Sequence, residues 1–191
     1  MNVLILSGPN HNFKDSAVVI EKFLSSKDYL SVTLVDDKEI LTSPKLNEFN
    51  VCVFGTGFTR TIRQKEGPPK HEPDLTPKQE EGLFAYVNNG NGLVGIHGTA
   101  WWIGGRAVDL IGGHANWHPP GQSFTVSIDD SEHPITRGLC NFKVDDEIYM
   151  SAWDPRIHIL ASAKWQDKEH PLAWVKPYGN GRVFYTTLGH G

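Results

Sequence analysis

The residues of this chain that could do chemistry are centred on a histidine at position 97. The stretch GLVGIHGTAWW, residues 92–102, runs from apolar and glycine positions into GIHG, and a helix is predicted from about residue 104. An α/β enzyme presents its nucleophile on such a sharp turn, at the carboxyl end of a central strand. Here the side chain at the turn is an imidazole, which can transfer protons near neutral pH or bind a metal ion.

Two other stretches carry histidines beside glycines. His114 and His118 lie four residues apart in GGHANWHPP, and His190 ends the run FYTTLGH. Taken singly, each of these histidines could be an ordinary structural residue, partly buried and hydrogen-bonded. Histidines that follow the central strand and a later strand would point into one crevice, which predicts that His97 and His190 meet. A helical metal site at His114 and His118 is weakly supported, because glycines and a proline bracket the pair.

One carboxylate cluster accompanies the histidines, in the stretch VDDEIYM. On a strand through residues 144–150, Asp145, Glu147 and Tyr149 would share one face, with Asp146 on the other. A solvated strand face is the structural interpretation. The functional interpretation places Glu147 or Asp146 in the crevice as an acid, a base or the orienter of a histidine. Tyr149 would then donate a proton or a hydrogen bond to a substrate oxygen.

Aromatic side chains lie close to the candidate histidines in sequence. They are Trp101, Trp102 and Trp117. Core packing is the first interpretation of a tryptophan, but flat aromatic side chains beside a polar crevice also hold sugar rings. The stretch GNGR, residues 179–182, looks like a phosphate-binding loop, yet it predicts a tight hairpin turn because a strand and not a helix follows it.

The first half of the chain predicts the strands and helices that position these residues. Strands are expected at residues 3–8, 30–37, 50–57 and 93–98. A first helix, capped by Asp15 or Ser16, is predicted to end near residue 25 and to bury Val18, Val19, Phe23 and Leu24. A second helix begins at Thr76-Pro77, which is a favoured N-cap and first position. Residues 57–76 predict a long irregular surface loop.

The second half predicts strands without crossover helices between them. They lie at residues 122–130, 142–150 and 156–163, followed by a hairpin of residues 172–176 and 182–188. Such strands form an antiparallel extension, so the sheet is expected to be mixed. The whole chain, residues 1–191, is predicted to be one domain.

Composition narrows the class of protein. With 39% hydrophobic residues and six tryptophans in 191 residues, the chain is not predicted to be disordered. A net charge of −4 argues against a nucleic-acid partner. No apolar run reaches the ~18 residues of a membrane span, and the amino-terminal run predicts a strand and not a signal peptide. Two cysteines, Cys52 and Cys140, are too few for a disulfide scaffold. A cytoplasmic protein is expected.

These stretches together resemble the trehalose-utilisation, or ThuA-like, family. The matching pieces are GLVGIHG, IGGHANWHPP, EHPITRGL, DDEIYM and PLAWVKPYGNGRVFYTTLGH, which follow in order over the second half. The resemblance implies a flavodoxin-like fold related to class I glutamine amidotransferases, a three-layer sandwich with a mostly parallel central sheet. It also implies a further helical segment after the Leu-Gly-His stretch, whereas this sequence ends at Gly191.

The resemblance implies a set of functional residues. In the related amidotransferases the sharp turn carries a nucleophilic cysteine, and here His97 stands in that place, so glutamine hydrolysis is not expected. The catalytic residues are expected to be His97, Glu147, Tyr149 and His190. The resemblance also marks His118 of the His-Pro pair, which is expected to bind substrate. The tryptophans Trp101, Trp102 and Trp117 are expected to bind substrate because of their place near the crevice, and not because of the resemblance.

The expected function is an enzyme of carbohydrate metabolism that acts on a sugar or a keto-sugar by His/Glu acid–base chemistry. Histidines 97, 118 and 190 would suit Zn²⁺ or another divalent transition metal with an open position. One alternative is a hydrolase of a glycoside or ester that uses the same residues. Another is a ligand-binding protein without activity, because fold does not fix function. The expected partner is a small-molecule sugar. A second copy of the chain is also a candidate partner, only because homodimers are the commonest oligomers.

Overall fold

The computed structural model describes residues 1–8, 13–54, 58–67, 70–101 and 106–190. In the first part of the chain its strands are β1 (Asn2–Leu6), β2 (Ser31–Val35), β3 (Val51–Phe54), β4 (Thr59–Ile62), β5 (Lys70–Pro73) and β6 (Gly92–Ile96). In the second part they are β7 (Gly113–Trp117), β8 (Gln122–Ile128), β9 (Phe142–Asp146), β10 (Met150–Trp153), β11 (His158–Trp165), β12 (Lys168–Tyr178) and β13 (Gly181–Thr186). The α-helices are α1 (Phe13–Ser25), α2 (Pro77–Asn88) and α3 (Arg106–Leu110). Short 3-10 helices occupy Lys38–Thr42, Pro44–Glu48 and His97–Trp101.

A nine-stranded mixed sheet forms the centre of the described structure, in the order β2-β1-β3-β6-β13-β12-β11-β8-β9. The strands from β2 to β13 in this order are parallel to their neighbours. The pairs from β13 to β9 are antiparallel, and β12 and β13 form the predicted hairpin. The predicted α/β fold with an antiparallel extension is therefore confirmed.

Helices cover both faces of the parallel half. Along β1, successive side chains point to opposite faces, so Ile5 packs with Ala17 of α1 while Leu6 packs in the core that contains Leu83 of α2. The predicted start of α2 is confirmed by a capping box between Thr76 and the Gln79 side chain. This arrangement makes the three layers that the sequence predicts.

The buried stripe of α1 differs from the prediction. Ala17, Ile20 and Leu24 face the sheet, at the helical spacing of three and four residues. Val18, Val19 and Phe23 are 53%, 67% and 63% exposed, so their predicted burial is wrong. The prediction of burial rested on the hydrophobicity of these larger side chains. The helix instead packs on the sheet through the small Ala17, which is fully buried.

Two predicted boundaries are also wrong. The strand predicted for residues 142–150 ends at Asp146, and Glu147, Ile148 and Tyr149 are all buried, which an alternating strand with one solvated face does not allow. Within the predicted irregular loop, β4 and β5 pair as an antiparallel hairpin. The Arg60 and Glu72 side chains of that hairpin lie opposite each other, 3.6 Å apart, and this cross-strand pairing is not visible in a charged, proline-rich composition.

A buried ion pair joins α3 to the sheet. The Lys176 ammonium donates to the carbonyl groups of Val108 and Asp109 at the end of α3 and lies 3.2 Å from Asp154 Oδ2. The Asp154 and Lys176 side chains are each 6% exposed.

Because removing one partner of a buried pair leaves the other uncompensated, we expect Asp154→Asn to lower the free energy of unfolding by about 3 kcal/mol in urea titrations. Lys164→Ala, in an exposed pair, is the control and should change it by less than about 1 kcal/mol.

The same pair predicts a pH dependence. Hydrogen bonds from Arg156, and the Lys176 ammonium, hold the pKa of Asp154 well below its ordinary value. A lowered pKa in the folded state means that the ionised carboxylate stabilises the fold above about pH 4, the unfolded value, and that this contribution is lost as pH falls toward the folded pKa. The stability difference between the parent and Asp154→Asn should therefore shrink below pH 4 in urea titrations. A constant difference from pH 7 to pH 3 would contradict this.

Candidate active site

The candidate site lies where strand ends meet, and each of its side chains stands next to such an end. His97 directly follows β6, and His190 lies four residues after β13, which is the parallel neighbour of β6. Glu147 directly follows β9. Tyr149 precedes β10 and His118 follows β7, and these two strands pair with Met150 opposite Trp117. The carboxyl ends of parallel strands are where α/β folds place their ligands.

His97 occupies a sharp turn, as predicted. Its φ is +45°, in the left-handed region, and its side chain is fully buried. Tyr185 donates a hydrogen bond of 2.5 Å to the His97 carbonyl oxygen. Gly95 permits this approach, since a Cβ there would lie 2.9 Å from the Tyr185 ring. The turn is thus held in an uncommon backbone conformation by the neighbouring strand.

The hydrogen bonds of His97 determine its tautomer. Nδ1 lies 2.7 Å from the Thr187 carbonyl oxygen, which can only accept, so Nδ1 carries the proton. In the neutral ring Nε2 therefore presents its lone pair to the site. The Tyr149 hydroxyl donates to Nε2 at 2.8 Å.

Glu147 lies among three imidazoles. Its Oε1 is 3.2 Å from His190 Nδ1 and 3.3 Å from His118 Nδ1, and its Oε2 is 3.6 Å from His97 Nε2. The Glu147 residue is 6% exposed, whereas the His190 side chain is 45% exposed, so the cluster opens to solvent at His190. A buried carboxylate surrounded by imidazoles can stabilise positive charge on any of them.

The environment of Tyr149 keeps it protonated. Burial raises the pKa of the Tyr149 phenol above its ordinary value, and the negative charge of Glu147 raises this pKa further. At neutral pH the hydroxyl is therefore a hydrogen-bond donor.

Three of these side chains have the spacing of metal ligands. One ligand atom each from His97, Glu147 and His190 lies within 4.8 Å of the other two. The separation between His97 Nε2 and His190 Nδ1 is 3.2 Å. Ligands about 2.1 Å from a tetrahedral Zn²⁺ are about 3.4 Å apart, which is close to the 3.2 Å between the two histidine nitrogens. The Glu147 carboxylate approaches His190 Nδ1 through Oε1, at 3.2 Å, and His97 Nε2 through Oε2, at 3.6 Å. The bond from His97 Nδ1 to a carbonyl is the support that metal-bound histidines usually have.

The other predicted site residues have different surroundings. His118 contacts Glu147 but is not in the group of three ligand atoms. The Trp101 ring is partly buried, with its centroid 5.8 Å from that of Tyr149. The Trp117 ring is 54% exposed and lies 6.4 Å from the Trp165 ring. Trp102 lies outside the described residues. His114, for which the sequence gives only weak support as a site residue, lies on β7. Its ring donates to the Ala100 carbonyl oxygen.

Neither cysteine is placed to act as a nucleophile here. Cys52 lies within β3, and its complete burial raises the pKa of its thiol to about 12. Cys140 is exposed and lies between β8 and β9. Within the described residues, the side chain at the sharp turn is that of His97, and neither cysteine lies beside it.

The sequence profile of the trehalose utilisation (ThuA) family matches residues 2–191. The chain belongs to this family. No functionally curated protein matches the sequence.

Solved structures share the fold of this ThuA family member. A ThuA-like protein from Bacteroides uniformis ATCC 8492 is similar with a TM-score of 0.76 and 24% identity, covering 100% of this chain and 82% of the other. One from Parabacteroides merdae ATCC 43184 has a TM-score of 0.75 and 20% identity, covering 100% and 79%. A cytoplasmic protein from Salmonella typhimurium LT2 has a TM-score of 0.65 and 14% identity, covering 97% and 87%. At these identities the likeness shows the fold alone. None of the helices that the structure describes is long and apolar enough to cross a membrane.

Sequence reasoning missed two supports of the site. The Thr187 carbonyl, which fixes the His97 tautomer, is a backbone group, so no residue type signals it. Tyr185, whose hydroxyl holds the His97 turn, lies in the same FYTTLGH run as His190, where its residue type is that of an ordinary strand residue. Its place on the strand next to β6 is the signal that could have identified it.

Asp146 supports both Glu147 and the segment that carries His190. Its Oδ1 accepts from the Glu147 backbone N–H at 2.7 Å, and its Oδ2 accepts from the Gly189 N–H at 2.8 Å. In Asp146→Asn only one of these N–H groups keeps an acceptor. We expect Zn²⁺ affinity, measured by competition with a chromophoric chelator, to fall about 10- to 100-fold while the melting temperature changes little. Asp145→Asn, which removes the adjacent exposed carboxylate, is the control and should leave Zn²⁺ affinity unchanged. Equal affinities in all three proteins would contradict this positioning role.

Proposed function

We propose that this ThuA family protein is an enzyme that acts on a sugar or keto-sugar by proton transfer, with a divalent transition metal held by His97, Glu147 and His190. The observation that supports the proposal best is the buried Glu147 carboxylate with three imidazoles within 3.6 Å of it. A buried charge of this kind is costly to a fold unless it is paired, and such clusters are typical of functional sites.

The chemistry that a keto-sugar requires matches these groups. Removal of a proton beside the carbonyl needs a base and a means of holding the negative charge of the resulting enediolate. A divalent cation, when bound, polarises the carbonyl oxygen and stabilises that charge. Isomerisation, epimerisation and elimination all begin with this step.

His118 and Tyr149 are the side chains we assign to the proton transfers. His118 Nδ1 lies 3.0 Å from the Pro119 carbonyl oxygen, so Nδ1 carries the proton and Nε2 presents a lone pair. Glu147 lies behind the His118 ring, where its charge stabilises the imidazolium that forms. The Tyr149 hydroxyl donates to His97 Nε2 at 2.8 Å, and it would be free to donate to a substrate oxygen if His97 Nε2 held a cation.

The direct test is deuterium exchange. The protein, loaded with Zn²⁺ or Mn²⁺, is incubated in D₂O with keto derivatives of glucose and trehalose, and proton NMR follows the signals beside each carbonyl. We expect exchange at one position, reduced at least about 100-fold in Tyr149→Phe and His118→Ala.

Other outcomes separate the alternatives. Release of free monosaccharide without exchange would identify a hydrolase. Saturable sugar binding without exchange or turnover in either metal form would identify a binding protein. Either result would overturn the proposal.

A further inference from the structure

A groove beside the site contains polar side chains that the proposed chemistry does not use. It has a volume of about 440 Å³, within the ~300–1,000 Å³ range of small-molecule pockets. Glu147 and His190 are part of its lining and join it to the candidate site. The rest of its lining comes from the start of β8 and the end of β9. A substrate that reaches the site from this side must contact these strand ends.

Three side chains of the groove are available to a ligand. In the part of the chain that the structure describes, Gln122, Ser123 and Asp145 make no side-chain hydrogen bond or ion pair. Ser123 lies directly opposite Asp145 in the antiparallel register, so their side chains are neighbours on one side of the two strands. Asp146 differs, because each of its carboxylate oxygens accepts from a backbone N–H. The Ser123 hydroxyl and the Asp145 carboxylate are thus presented together, and between them they can donate to and accept from hydroxyl groups. Gln122 lies opposite Asp146, on the other side of the two strands.

The charge of the groove favours a neutral ligand. Its described lining contains the carboxylates of Asp145, Asp146 and Glu147 and has neither lysine nor arginine. A phosphate or carboxylate group placed against Asp145 would meet like charge with no lysine or arginine of this lining to pair with. Like-charge contact of this kind disfavours a ligand. Sugar hydroxyl groups, by contrast, donate well to carboxylates.

We propose that Ser123 and Asp145 bind the hydroxyl groups of a neutral sugar, and that Asp145 makes the site select against sugar phosphates. This inference rests on the proposed function, that the adjoining site acts on a sugar. It adds two things to that function: which residues recognise the substrate, and that the substrate carries no charge.

Isothermal titration calorimetry with trehalose and trehalose 6-phosphate tests the inference. We expect the parent to bind trehalose at least about tenfold more tightly than its phosphate, and Asp145→Asn to weaken trehalose binding about tenfold. Asp145→Lys should reverse the preference by weakening trehalose and strengthening trehalose 6-phosphate. Glu132→Gln, an exposed acidic residue outside the groove, is the control for loss of one negative charge and should bind as the parent does. Melting temperatures verify that all variants fold.

The outcomes distinguish this inference from the proposed function. Equal trehalose affinity in the parent and Asp145→Asn, or a parent that binds the phosphate at least as tightly, would overturn the inference and leave a sugar-binding site in place. Absence of binding by both sugars, with deuterium exchange still observed on a keto-sugar, would overturn the inference alone. Absence of both binding and exchange would overturn the inference and the proposed function together.

Discussion

Replacing Glu147 with glutamine is expected to abolish metal binding and to lower the rate of proton exchange at least about 10³-fold. The substitution keeps the size of the side chain but removes the negative charge that His97, His118 and His190 surround. Acid–base groups and metal ions each contribute about 10²- to 10⁴-fold to such reactions, and Glu147 supports both. Deuterium exchange and Zn²⁺ titration measure the two effects.

The stability of the Glu147 variant distinguishes a functional from a structural role. A buried carboxylate that serves chemistry is costly to the fold, so Glu147→Gln should retain or raise the melting temperature. Asp145→Asn is the matched control, because it removes a neighbouring carboxylate that has no imidazole partner. A Glu147→Gln protein that melts more than about 10 °C lower and still binds Zn²⁺ would show that the carboxylate is a structural group.

Replacing His97 with asparagine is expected to have the second large effect on metal binding and on proton exchange. Asparagine tolerates the positive φ of this turn, and its amide N–H can replace the Nδ1–H that donates to the Thr187 carbonyl. It offers no atom in the place of Nε2. We expect loss of metal and of measurable proton exchange in a protein whose free energy of unfolding stays within about 2 kcal/mol of the parent.

His97→Val is the contrasting variant. A β-branched residue is strained at φ +45° and leaves the buried Thr187 carbonyl without its donor. It should therefore be at least about 2 kcal/mol less stable than His97→Asn in urea titrations, with the same loss of metal. Equal stability of the two variants would show that neither the backbone strain nor the hydrogen bond to Thr187 matters.

The meeting of His97 and His190 could be predicted because it needs only topology. Both follow strands of the parallel sheet, and neighbouring parallel strands end at one edge. The position of Glu147 could not be derived in the same way. The alternation of VDDEIYM predicts one long strand, but the chain leaves the sheet after Asp146, which brings Glu147 and Tyr149 into the site through a buried bend.

Other differences arise where tertiary packing overrides a local pattern. The stretch GGHANWHPP contains glycines and prolines that indicate a loop, yet β7 forms there because β10 pairs with it, and this ribbon places His118 beside Tyr149. Helix α1 has two apolar faces, and the one that packs on the sheet is the one that contains the small Ala17. Such choices depend on a partner element that is distant in sequence.

The central claim is that His97, Glu147 and His190 hold one divalent metal, and elemental analysis tests it most directly. Tag-free protein, purified without chelator, is incubated with Zn²⁺ and desalted, alongside His97→Asn, His190→Ala and the control His158→Ala, which removes an imidazole outside the site. We predict about one equivalent of metal in the parent and in His158→Ala, and loss of it in the two site variants. A parent without metal, or site variants that retain it, would contradict the account.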